Sequence, residues 1–192
     1  MDMAERKPDG RRVRMTKLLL KESLIELMKE KSIHVISIKE ICEGADVNRS
    51  TFYRHYDTQY DLYDEIINDI SDDIHIIYCE CAKEGMTVTL LLTKIFTYIE
   101  QHREKFLVIL SDNGNISLGE TYNRITDRFI SRENTGELGA YVAQFIAAGM
   151  TSILWSWLNA EERKPPEQIA GLINYMIKHG FKTAVDFVLG TK

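Results

Sequence analysis

SIKEICEGADVNRSTFYRHYDTQYDLYDEI, residues 37–66, holds three short helical pieces and the start of a fourth within thirty positions. Ser37 precedes IKEICEGA with Glu40 three residues on, the spacing of a reciprocal capping box. Ala45-Asp46-Val47 breaks the pattern as a turn, and Asn48 then stands as an N-cap before RSTFYRH. Thr58 is placed to cap a further helix from about Gln59. Two short helices joined by a tight turn, the second opening on polar side chains, are what a helix-turn-helix requires. Helical spacing sorts the residues into two sets. Ile38, Ile41, Cys42, Val47 and Phe52 fall on the packing side, while Arg49, Ser50, Thr51 and Tyr53 point away from it.

Outward from this stretch, apolar residues recur at steps of three and four, and the only prolines are Pro8, Pro165 and Pro166. No run alternates with period two over strand length, so the expected fold is all-α. The pattern predicts about nine helices: roughly 15–31, three pieces in 37–60 of which the third runs on from Asp61 as one long helix, then 87–102, 104–111, 117–132, 136–160 and 165–188. The first helix is expected to bury Leu18, Leu19, Leu24, Ile25, Leu27 and Met28. Three domains are drawn from this: a flexible basic arm over 1–12, a helix-turn-helix head over 13–60, and a helical effector-binding and dimerisation body over 61–192.

The formal net charge is −5, unevenly spread. Residues 1–60 carry 12 Lys+Arg against 10 Asp+Glu, a net of +2, and the remainder carries 12 against 19, a net of −7. A basic head on an acidic body suits a small DNA-reading module attached to something else. Arg11 and Arg12 of the arm, with Arg14 just beyond it, are candidates for an adjacent groove. Cys42, Cys79 and Cys81 form no disulfide framework and read as reduced thiols, and no apolar stretch reaches membrane-span length. A cytoplasmic protein with no membrane partner is expected.

The run from Ser37 to Ile66 resembles the DNA-binding head of the TetR family. The family's pattern is a threonine or serine before the second helix, an Ala-Gly-Val-Ser-like turn, and a Thr-Leu-Tyr-x-His-Phe-like recognition helix, with Tyr56 here as the core aromatic. The resemblance implies a DNA-binding set of Ser37, Lys39, Asn48, Arg49, Ser50, Thr51, Tyr53, His55, Thr58 and Gln59. Two positions depart from the pattern. Asp46 stands where glycine is usual, and Asp is among the few side chains that visit the left-handed region at modest cost. Gln59 replaces a frequent lysine and removes a phosphate-binding charge. GMTSILWSWLNAEERKPPEQIAGLI, residues 149–173, also resembles a TetR-like branch that includes activators of dihydroxyacetone-kinase operons.

Residues 138–158 are apolar almost all round, and a three-four stripe follows from Ile169. Together they read as half of an intermolecular four-helix bundle. Phe145, Ile146, Ile153, Ile169, Ile173, Met176 and Ile177 are the expected dimer interface. Phe96, Tyr98, Phe106, Tyr122, Phe129 and Trp155 are candidates to line an effector pocket, although aromatics at this spacing are more often core. Asp72, His75 and Cys79 share a helical face, but no paired ligand spacing accompanies them, so no metal and no cofactor are expected. No phosphate loop, nucleophile elbow or paired carboxylate suggests an enzyme. The function implied is a homodimeric regulator on palindromic operator DNA, a repressor released by an unknown small-molecule effector. Alternatives are an activator, or a dimerisation or adaptor protein whose helix-turn-helix reads no DNA.

Overall fold

The computed structural model describes residues 9–111 and 136–181. Among them are eight α-helices and no strand, so the all-α expectation holds. The expected helix over 117–132, and with it Tyr122 and Phe129, lies outside the described residues, as do positions 182–188 of the last one.

The chain divides into two compact units, the first running through Ile66 and the second from Ile67. In the first, α1 (Asp9–Met28) is followed by a 3-10 turn (Ile33–Val35), α2 (Ile38–Gly44), α3 (Arg49–Phe52) and the opening turns of α4 (Gln59–Lys83). The core of this unit is Leu20, Leu24, Met28, Ile33, Ile36, Ile41, Phe52, Leu62, Tyr63 and Ile66, all nearly or fully buried. α1 differs from expectation at both ends. It begins at Asp9, so Arg11, Arg12 and Arg14 lie on its first turns rather than on a flexible arm. After Pro8 nothing but Gly10 opposes helix, and Arg, Met, Lys and Leu extend it readily. Its buried row is Leu20, Leu24 and Met28, and Leu18 and Leu19 are exposed. Three consecutive leucines leave the register open, and only the partner surface selects one.

Packing between α1 and α2 is close. A Cβ placed on Gly44 would stand 2.4 Å from Ser23 Oγ. That hydroxyl is buried and donates to the Ile41 carbonyl at 2.9 Å. Across the unit, Glu65 of α4 accepts from Lys17 at 2.8 Å and Lys21 at 2.7 Å, tying α4 to α1. Burial opposes ionisation of Glu65, but the two lysines outweigh it and hold its pKa down at about 2.

The second unit contains the remainder of α4, α5 (Val88–Gln101), α6 (Arg103–Leu110), α7 (Gly136–Asn159) and α8 (Pro166–Met176), the last continuing as a π-helical segment, Ile177–Phe181. α5 packs chiefly on α8, and α6 on α7 and α5. Leu92, Phe96, Ile99, Phe106, Val108, Ile109, Trp157, Leu158, Ala170 and Ile173 form its core. Phe96 meets Trp157 edge to face, with ring centroids 5.2 Å apart. The end of α7 is satisfied from outside the helix. Arg103 donates through both Nε and a terminal nitrogen to the Leu158 carbonyl, at 3.0 and 2.8 Å, and Trp157 Nε1 donates to the Lys164 carbonyl at 2.7 Å. Among the described residues no helix is long and apolar enough to cross a membrane.

Candidate nucleic-acid interface

Ser37 opens α2 with the full capping box. Its Oγ accepts from the Glu40 N–H at 3.3 Å, and the Glu40 carboxylate accepts from the Ser37 N–H at 2.9 Å and from its hydroxyl at 2.7 Å. Lys31 pairs with the same carboxylate and, with the Ser37 bonds, keeps the Glu40 pKa at about 2. α2 ends at Gly44, and the chain reverses through Asp46, whose φ of 52° places it in the left-handed region. The Val47 N–H returns to the Cys42 carbonyl at 2.9 Å, which closes the turn. Asp therefore takes the backbone role of the usual glycine, as the sequence anticipates.

Asn48 then caps α3, its Oδ1 accepting from the Ser50 N–H at 3.1 Å and from the Ser50 hydroxyl at 3.2 Å. The two sets inferred from spacing separate in part, since Ile38 and Val47 of the packing set are only half-buried. Phe52 is fully buried and Ile41 and Cys42 nearly so, whereas Arg49, Ser50 and Tyr53 are exposed. Thr51 and His55 are half-buried. Tyr56 is buried against Phe52, and Lys17 lies over its ring at 5.3 Å. Lys39, Asn48 and Arg49 meet on one open cleft of about 560 Å³ between α2 and α3, with Cys42, Glu43, Asp46 and Val47 as the other lining residues. Burial pushes the Cys42 thiol pKa up.

At the start of α4 the chain supplies its own anion to the free backbone donors. The Asp61 carboxylate accepts from the N–H groups of Asp57 at 3.0 Å and Thr58 at 2.7 Å, and from the Thr58 hydroxyl at 3.0 Å. These bonds hold its pKa below the usual carboxylate range. The Asp61 N–H returns to Thr58 Oγ1 at 3.3 Å, so Thr58 caps α4 reciprocally with Asp61, as its position before Gln59 implies. Gln59 stays half-buried beside Tyr60, whose hydroxyl is 2.6 Å from His34 Nδ1. Arg54, exposed in the turn after α3, is absent from the set read from sequence.

In the second unit Tyr98 and Phe106 meet edge to face at 5.9 Å, and Tyr98 lies against His102 at 4.7 Å. The Tyr98 hydroxyl donates to Asp73 at 2.7 Å, and burial together with that carboxylate raises its pKa. Phe96 pairs with Trp157. Trp155 is on an outer face of α7, 36% exposed, because two residues along a helix turn a side chain through most of a half-circle from the buried Trp157. That outer face also shows Tyr141 and Phe145, each 67% exposed, and Leu172, Tyr175 and Met176 form a like face on α8. Ile146, Ile153, Ile169 and Ile177 are half-buried. Ile173, expected at the dimer interface, is only 2% exposed within the single chain, on a helix packed against α5. His75 Nε2 and Cys79 Sγ lie 3.5 Å apart, but no group of three His, Cys, Asp or Glu ligands gathers among the described residues.

A capped helix, a left-handed turn and a second capped helix with its polar side chains outward define the class: a helix-turn-helix protein. Comparison with known proteins narrows it. Residues 22–66 match the model of the bacterial regulatory proteins of the tetR family, and residues 87–179 match that of a transcriptional regulator C-terminal region. Over 101 residues the chain is 27% identical to an uncharacterized HTH-type transcriptional regulator, YxbF, of Bacillus subtilis (strain 168). That alignment covers 48% of the chain but 26% of the relative, so the chain spans about a quarter of the length of the curated relative it matches. Two solved structures share the fold. A TetR transcriptional regulator from Streptococcus agalactiae 2603V is 24% identical with a TM-score of 0.58, the match covering 87% of this chain and 96% of that one. The dihydroxyacetone kinase operon activator DhaS is 18% identical with a TM-score of 0.55, covering 88% and 97%. The chain belongs to the TetR family of transcriptional regulators. That is not a class of enzyme.

Proposed function

We propose that this chain is a sequence-specific DNA-binding regulator that acts as a homodimer on a palindromic operator, represses from it, and leaves it when a small-molecule effector binds the helical body. The observation that carries this reading is the turn at Asp46, which lets α3 start with Asn48 as its cap and Arg49, Ser50 and Tyr53 outward while Phe52 anchors the opposite face. Side chains at the N-terminal end of a recognition helix reach base edges, and bidentate arginine to guanine is the commonest specific contact. In this reading Arg49 and Thr51 read bases, and Tyr53 and His55 meet the backbone. Ser37, Lys39 and Gln59 flank them on the adjoining helix ends.

The dimer is supported by the outer faces of α7 and α8, where Tyr141, Phe145, Trp155, Leu172 and Tyr175 present large apolar groups to solvent. Two-fold dimers are the form in which helix-turn-helix proteins read two half-sites in successive major grooves. For the effector, the Tyr98, His102 and Phe106 cluster beside Asp73 is the described part of the body best suited to hold one.

Selection of duplexes from a random pool tests the proposal. An enriched palindrome with half-sites one helical turn or a multiple apart is the expected result, and enrichment of nothing above the starting pool would refute it. A reporter fused to the selected site gives the sign of regulation, and loss of repression on deleting the gene is the outcome expected.

A further inference from the structure

Basic side chains in the first unit divide by type. All five of its lysines in the described residues are in ion pairs: Lys17 and Lys21 with Glu65, Lys29 with Glu26 at 2.7 Å, Lys31 with Glu40, and Lys39 with Glu43 at 3.6 Å. None of the side chains of the five arginines, Arg11, Arg12, Arg14, Arg49 and Arg54, has a hydrogen bond or ion pair to another described residue. A paired lysine that turned to a phosphate would give up its carboxylate and gain little net charge there. An unpaired arginine keeps its full charge, and its planar fork matches two phosphate oxygens at once.

Arg54 is singled out by its place. It lies in the turn that leaves α3, exposed, beyond the end of the helix whose first residues face the bases in the reading above. Residues past that end face the flanking backbone rather than base edges. The first acidic residue of α4, Asp61, is itself engaged in three hydrogen bonds with Asp57 and Thr58. The chain therefore supplies Arg54 with a position at the edge of the interface and with no internal partner among the described residues.

We propose that Arg54 is a phosphate-holding residue of the DNA interface, supplying sequence-independent grip beside the base reading of Arg49. This rests on the DNA-binding reading given above. Each phosphate neutralised releases counterions, which steepens the slope of log K against log salt by about 0.9. Arg54→Gln should therefore weaken binding to the selected duplex and to a scrambled duplex alike, by about fivefold per head at 0.15 M salt, and flatten the slope by about 0.9 per head. Arg54→Lys should restore the slope. Arg49→Gln should weaken the selected duplex far more than the scrambled one, and Lys29→Gln, which removes a lysine paired within α1, should leave the slope as it is.

The measurements are fluorescence-anisotropy titrations of the full chain at four salt concentrations, with thermal unfolding of each variant alongside. Should Arg54→Gln unfold earlier than wild type, the slope of Arg54→Lys decides, since it keeps the charge. A slope for Arg54→Gln equal to that of wild type overturns the assignment while leaving the DNA-binding reading standing. A wild-type chain that binds neither duplex overturns both.

Discussion

Gly44 and Ser23 form a coupled pair whose energetics can be worked out from the geometry. In a helix interior, Gly→Ala gains up to about 1 kcal/mol, and somewhat less at Gly44, the last residue of α2. Against that gain, the new Cβ would stand 2.4 Å from Ser23 Oγ, so the hydroxyl must rotate away. It then loses its 2.9 Å bond to the Ile41 carbonyl while still buried, a loss of about 1–3 kcal/mol. Gly44→Ala should therefore destabilise the protein by about 1–2 kcal/mol. Ser23→Ala alone should cost only about 1 kcal/mol, because the Ile41 carbonyl keeps its bond from the Ala45 N–H at 3.0 Å. In the double variant the obstacle is gone, since the Ser23 Cβ is 3.5 Å from the added carbon, an ordinary contact. Gly44→Ala in the Ser23→Ala background should then be neutral or stabilising by up to about 1 kcal/mol, for a coupling of about 2 kcal/mol. Urea denaturation of the four proteins at one protomer concentration measures the cycle. Additivity within about 0.5 kcal/mol would show that the two side chains do not meet as described.

At Asp46, Gly should change stability by less than about 0.5 kcal/mol, since relief of the left-handed backbone is offset by the entropy of glycine in the unfolded chain, whereas a β-branched Val should lose about 2 kcal/mol; equal losses in denaturant would contradict the turn. Glu65, held at about 2 against a usual 4.5, binds a proton more weakly when folded, so its contribution is full above pH 4.5 and is lost as pH falls toward 2. Glu65→Gln should cost about 2 kcal/mol at pH 7 and flatten the acid limb of stability between pH 5 and 2, and an unchanged acid limb would argue against the two lysine bonds. On the body, Phe145→Glu with Leu172→Glu should give a folded monomer in light scattering, while Ile173→Glu should unfold the body by circular dichroism, because one face is exposed and the other residue is buried in the chain's own core. A dimer that survives the first pair of changes would remove these faces from the interface.

The head was readable because its signals are local. The Ser37 and Glu40 box, the Asn48 cap and the turn at Asp46 each act within four residues, and all three stand in the structure as the spacing implies. What the sequence left undetermined depends on distant partners. Leu18, Leu19 and Leu20 are equivalent to a periodicity argument, and the surface offered by α2 and α4 decides among them. The stripe on α8 shows that Ile173 is covered, but whether a second copy or α5 covers it is a question of long-range packing. In the first unit the pairing of the lysines, and the lack of such pairs at the arginines among the described residues, likewise need distances, because Glu65 is 48 residues from Lys17. The bonds of Asp61 to Asp57 and Thr58 are local too, but which of the free donors at a helix start a carboxylate takes depends on its rotamer and not on spacing alone.

The turn at Asp46 also bears on how the head can drift over generations. Codons for Gly and for Asn are each one base change from those for Asp, and these are the residues that tolerate a φ of 52°. A lineage can therefore exchange one for another at this position without passing through a damaged intermediate. At Gly44 the route to Ala is open in one order only, with Ser23 changing first, so chance at one helix decides what selection can later accept at the next.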